Sequence, residues 1–203
     1  MDTLEARLAA RPQNISPEEW AVRVDLAACY RLIAHFGWDD LVLTHNSARV
    51  PGELNHFLIN PMGLMFNEIT ASNLLKMDLD GNLVEPSEYE PNRAGYVIHS
   101  AIYMGRPDVQ CVIHTHTEAD IAVGALEEGL LPLSQWAMRF YNRLGYHDTR
   151  AFRSTSTSVR GCSRASGTIR FWCCAITACW RPAAMSPRRS RSPFVLNARP
   201  SRS

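Results

Sequence analysis

Apolar and polar positions change period several times along the first two thirds of the chain. In NISPEEWAVRVDLAACYRLIAHFGW, residues 14–38, apolar residues return every three or four positions. Trp20, Val24, Ala27, Ala28 and Leu32 trace one face, so the spacing predicts an amphipathic helix. Its start is marked by Ser16 as N-cap, Pro17 in the first turn and Glu19 three residues on, a capping box. Ile15 and Trp20 have the spacing of a hydrophobic staple, and Gly37 can end the helix.

The period then shortens. DDLVLTHNSARV and HFLIN read as neighbouring strands joined by a PGELN turn. EITASNLLKM is predicted as a short helix with Thr70 as its cap, and MDLDGNLVE as a hairpin around Asp80-Gly81. NRAGYVIHSAIYMGRPD reads as a second amphipathic helix ending at Gly105, VQCVIHTH as a strand, TEADIAVGALEEG as a helix and LLPLSQ as a short strand. Strands alternating with helices imply an α/β fold, a mixed sheet with helices on its faces.

Composition adds one fact that the averages hide. The chain has 203 residues and a formal net charge of +1. Residues 149–203 carry 11 Arg and no Lys, Asp or Glu, whereas the first 148 hold all 20 acidic side chains and have a net charge of −10. Four of the six cysteines, Cys162, Cys173, Cys174 and Cys179, lie in that tail without paired C-x-x-C spacing, so a zinc knuckle is not expected. Cys29 and Cys111 sit in apolar patterns and read as buried thiols. The N-terminus MDTLEARLAARPQ shows no signal-type apolar core, and no run of about 18 apolar residues occurs, so a cytoplasmic protein with no membrane partner is expected.

The strongest chemical signal is VIHTHT. Alternate residues of a strand share a face, which puts His114 and His116 roughly 7 Å apart, within reach of one metal ion. A pair of strand-edge histidines bonded to their neighbours fits the same spacing. His99, alone on its helix, reads as a satisfied, partly buried histidine. Asn60, Pro61 and Gly63 form a turn that could offer backbone N–H groups to an anion. His45, Asn46, Ser47 and Arg49 are polar groups on a strand, which a solvated edge would explain equally well.

Three stretches, LTHNSARVPGELNHFLINPMGLMFNEITASNLLKMDLDGN, EPNRAGYVIHSAIYMGRPDVQCVIHTHT and GLLPLSQWAMRFYNRLGYHD, resemble the class II aldolase/adducin family over roughly residues 20–148. The likeness is to its adducin-like branch, bacterial relatives included. It implies a three-layer α/β/α fold with a mixed central sheet, and a homo-oligomer, usually a tetramer, with its metal pocket near a subunit interface. In the aldolases zinc is held by the two histidines of an H-x-H strand, matched here by His114 and His116, and by a third in a later N-H-G motif. The aldolases' proton-transfer glutamate lies four residues before the histidine matched by His99. That position is Gly95 here, and glycine can neither give nor take a proton. The phosphate-site Gly-Asn turn is replaced by Thr44-His45, while Asn60 and Gly63 match part of the anion-binding region. The resemblance therefore implies zinc or another divalent metal at His114 and His116, and substrate contacts at Asn60, Gly63 and Ser47. It leaves the catalytic residue unassigned. The implied substrate is a small carbonyl or hydroxy acid, and ordinary aldolase chemistry is not expected. The alternative is a noncatalytic adducin-like assembly module with actin or cytoskeletal binding.

No N-H-G and no histidine follows His147. The tail composition is that of GC-rich DNA read out of frame. One permitted codon set for Arg170–Trp180, begun one nucleotide earlier, reads Val-Leu-Val-Leu-Arg-Asn-His-Gly-Leu-Leu, the family's missing strand and motif. The same shift permits Tyr-Glu-Gly-Ile-Pro-Leu-Asp-Val-Asp-Glu-Arg over TRAFRSTSTSVR and Asp-Val-Ala-Glu-Ala-Phe-Ala over AMSPRRSRS. Three matches in one frame and in family order place a frameshift near Asp148–Thr149. The expected organisation is a domain over 1–148 and an out-of-frame tail over 149–203, with metal binding weakened by loss of the third histidine. Phe171, Trp172 and Trp180 have no periodic partner face, so the tail is expected to be irregular. SPRRSRSP could serve as a nucleic-acid arm. Charge explains only that stretch, whereas the frame explains the whole tail, so no nucleic-acid partner is expected.

Overall fold

The computed structural model describes residues 11–126, 128–141, 144–147, 171–174 and 194–196. Helix α1 spans Pro17–His35, α2 Arg93–Gly105, α3 Glu118–Ala125 and α4 Gln135–Met138. Strands are β1 His45–Arg49, β2 His56–Ile59, β3 Leu75–Asp78, β4 Cys111–His114, β5 Leu144–His147, β6 Phe171–Cys174 and β7 Phe194–Leu196. They form one sheet in the order β3-β2-β1-β4-β7-β6-β5, antiparallel except for the parallel pair β5–β6.

The alternation of side chains along the strands makes the layers. Phe57 and Ile59 on β2 and Val112 on β4 pack with Ile98, Ile102 and Tyr103 of α2. Leu58 of β2 and Ala48 of β1 point the other way, onto Leu26, Tyr30 and Ile33 of α1. Each fully buried large apolar side chain contributes about 1.5–3 kcal/mol, so both sheet faces anchor a helix and the three-layer α/β/α arrangement holds.

Ser16 caps α1 as expected, its Oγ accepting from Glu19 N at 3.1 Å. The capping box does not close, because the Glu19 carboxylate turns inward to Arg23 Nε at 2.8 Å and Lys76 Nζ at 2.9 Å. The buried stripe is Trp20, Arg23, Leu26, Ala27, Tyr30 and Ile33, while Ala28 and Leu32 are exposed. Arg23 is buried through its ion pairs with Glu19 and Glu85, so a stripe read from apolar residues alone is rotated off the true one.

Three expected elements differ. EITASNLLKM contains no α-helix: a 3-10 turn at Phe66–Glu68 leads into β3, because Leu75, Lys76 and Met77 pair with β2 and tertiary pairing outweighs local propensity. Thr70 caps only a turn, its Oγ1 accepting from Asn73 N. LLPLSQ forms no strand, and Ser134 instead caps α4, accepting from Ala137 N at 3.1 Å. The supposedly solvated edge HNSAR is central and buried at all five positions, since β2 and β4 flank it. The hairpin at Asp80-Gly81 is present, with Gly81 at φ 96° and Asp78 Oδ1 accepting from the backbone N–H of Asp80 and Asn82.

In the tail, the described strands β6 and β7 extend the sheet, and the remaining tail residues, on which the expectation of irregular structure falls, lie outside the described residues. Phe-Trp-Cys-Cys and Phe-Val-Leu are short runs of strand-forming residues, and backbone pairing requires no long-range side-chain pattern. The 148/149 boundary, Cys162, Cys179, Trp180 and residues 1–10 lie outside the described residues. Among the described residues no helix is long and apolar enough to cross a membrane.

Candidate metal centre and its histidine row

Strand β4 carries His114 at its end, and His116 lies just beyond, where the chain leaves the sheet for α3. Their Nε2 atoms meet at 2.9 Å with the rings edge to face. The strand is positioned by β1, with His45 directly opposite His114 in register and the His114 N–H donating to Asn46 Oδ1 at 3.1 Å. His116 is held from the other side. Its Nδ1 lies 2.8 Å from Asp40 Oδ2, and its N–H reaches Trp38 O. Asp40 is on the loop between α1 and β1, whose backbone bends through Leu41 at φ 49°, the one described non-glycine residue with positive φ.

Four histidines form a row. His45 stacks on His114 with centroids 4.7 Å apart and planes 25° apart. His45 Nδ1 meets His99 Nε2 at 2.8 Å. His99 Nδ1 bonds Ser47 Oγ, which also meets the Tyr103 hydroxyl at 2.8 Å. His45, His99 and His114 are all buried. Burial, reinforced by His99 and His116, holds His45 well below the ordinary histidine range. Burial and the neighbouring His114 lower His99 to about 3, and burial followed by His45 and His116 lowers His114. All three rings are therefore neutral at pH 7, the state in which imidazole binds a metal.

A carboxylate behind His116 accepts a hydrogen bond from its Nδ1–H and leaves the Nε2 lone pair facing His114, the arrangement metal-bound histidines use. Two convergent imidazoles supply two ligands. Among the described residues no group of three His, Cys, Asp or Glu is placed to hold an ion. The residues present fit two corners of a tetrahedral site, and the third histidine that the resemblance implies is missing from this sequence, which has no histidine after His147.

The other sequence candidates do not gather here. Ser47 is held from the α2 side by His99 and Tyr103, with its hydroxyl committed to both. Asn60 is held from the α1 side, its Oδ1 accepting from the Tyr30 hydroxyl at 2.8 Å. Gly63 makes an open turn at φ 87°. Gly95 lies under the row, in the first turn of α2, where Asn92 Oδ1 accepts from its N–H. The pattern reading missed Asp40 and gave His45 no special place. An acid 76 positions before His116 and a histidine paired across two strands leave no local signature. Cys29 and Cys111 are partly buried, and burial pushes their thiols up, Cys111 to about 12.

A sheet of this order with a histidine pair leaving its β4 end defines a class, and comparison with known proteins gives the family. Residues 24–168 match the Class II Aldolase and Adducin N-terminal domain, and the chain belongs to that family. The match runs past Asp148. A Pseudomonas aeruginosa protein named "Putative aldolase class 2 protein" is 59% identical over 134 residues, covering 66% of this chain and 51% of its own. Rat alpha-adducin is 46% identical over 132 residues, 64% of this chain and 18% of its own. An aldolase II superfamily protein from Pseudomonas syringae superposes with a TM-score of 0.76 at 43% identity, covering 90% of this chain and 68% of that one. The chain thus spans about half the length of its bacterial relative.

Proposed function

We propose that this domain is the scaffold of a metal-dependent enzyme acting on a small carbonyl or hydroxy-acid substrate, and that this chain is impaired in it. The observation that carries the reading is the 2.9 Å convergence of His114 and His116 Nε2 with Asp40 behind His116. When bound, a zinc-type ion supplies Lewis acidity toward a substrate oxygen. His114 and His116 would hold it, Asp40 fixes the His116 tautomer, and the His45 stack fixes the His114 ring. Gly95 brings no acid or base, which argues against the sugar-phosphate aldolase reaction.

The impairment rests on the proposed frameshift. The absence of acids from residues 149–203 and the three in-order matches of the shifted frame support it. Phe171–Cys174 is strand-forming in either frame, so β6 is compatible with both. Exposed Leu133, Trp136, Met138 and Tyr141 on and around α4 support a homo-oligomer.

A noncatalytic assembly module is the second reading, favoured by Gly95 and by the likeness to alpha-adducin. Zinc content of the chain as it stands and of a frame-corrected chain, each with a His114→Ala control, tests the first reading, together with turnover on a panel of small aldehydes and hydroxy acids. We expect little zinc in the former and one zinc per subunit, lost in His114→Ala, in the latter. A frame-corrected chain that is metal-free and inert would favour the module. One zinc already present here and abolished by His114→Ala would mean that another residue completes the site.

A further inference from the structure

Glycine costs a helix interior stability relative to alanine, and it is tolerated where φ is positive or space is lacking. Gly95 does not have positive φ, so its backbone would accept any residue. Space is what it lacks. A Cβ built on Gly95 would lie 2.9 Å from His45 Cγ, 3.0 Å from Cδ2 and 3.3 Å from Nδ1.

The ring cannot easily yield. Cγ is the root of the imidazole, not a flexible tip. His45 is pinned in register opposite His114, stacked on that ring and bonded through Nδ1 to His99, itself tied to Ser47. Moving His45 away from a side chain at 95 would break the stack or the bond.

We infer that His45 occupies the volume a side chain at position 95 would need, so that the site holds a β1 imidazole or an α2 side chain there, but not both. A carboxylate at 95 is therefore shut out by packing, and restoring one requires changing His45 as well. This does not depend on whether His114 and His116 hold a metal.

Thermal unfolding of the full chain tests it through Gly95→Ala, His45→Ala and the pair. Overpacking a rigid site should lower the midpoint for Gly95→Ala by about 4 °C or more. In the His45→Ala background the same change should leave the midpoint unchanged or raise it, because alanine is the better helix former. Gly95→Glu should behave likewise, tolerated only with His45→Ala. Gly81→Ala is the control, since its Cβ would meet Tyr96 at 2.7 Å and its cost should be the same in both backgrounds. The side-chain nitrogen resonances of His99, observed by NMR, should shift in Gly95→Ala and His45→Ala and stay in place in Gly81→Ala. If Gly95→Ala alone fails to fold, recovery in the double variant supports the inference. Equal cost of Gly95→Ala in both backgrounds, or a double variant that also fails to fold, overturns it.

Discussion

Asp40 Oδ2 stands 2.8 Å from His116 Nδ1, on the side of the ring away from His114. A carboxylate there selects the tautomer whose Nε2 is free to coordinate and fixes the ring's orientation. In the frame-corrected chain, Asp40→Ala should weaken zinc binding about 10–100-fold, measured by chelator competition. An unchanged affinity would reduce the contact to a partly exposed hydrogen bond of little consequence.

His99 makes folding sensitive to acid. Unfolded, it takes up a proton near 6.5, and folded only near 3, because burial and then the nearby His114 disfavour its charge. Between those values the unfolded chain binds more protons, so stability falls as the pH falls and is retained above about 6.5. The contribution is about 1.4 kcal/mol per pH unit within that window. Urea titrations from pH 7 to 4 should show a slope smaller by about that amount in His99→Gln. An equal slope in the two proteins would assign the acid sensitivity to other groups.

Glu19 is shared by two buried cations, Arg23 at 2.7 Å and Lys76 at 2.9 Å. Burial alone would lower the Lys76 pKa, yet its hydrogen bonds to Glu19 and Glu53 outweigh that and raise it. Glu19→Ala removes the common partner and leaves both charges under-compensated inside the protein. A loss of about 3 kcal/mol in urea unfolding is expected. A loss below about 1 kcal/mol would show that Glu53 and Glu85 suffice to hold the cations.

Helices α1 and α2 and the cap of α1 were legible in the sequence, because Ser16 acts on an N–H only three residues away, whereas the Asn92 cap of α2 was not read. The sequence also brought His114 and His116 side by side, since a two-residue spacing at a strand end is local geometry. Its errors were non-local. Leu75–Met77 became a strand because β2 was there to pair with it, and HNSAR became the buried centre because β4, more than 60 positions on, closed its open side. The apolar stripe of α1 was misjudged because Arg23 enters the core only when Glu19 and Glu85 meet it. Only the tertiary structure could decide the histidine row. His45, His99 and His114 lie far apart in sequence, and their stacking, neutrality and claim on the space above Gly95 arise from strand register and burial, which no local pattern encodes.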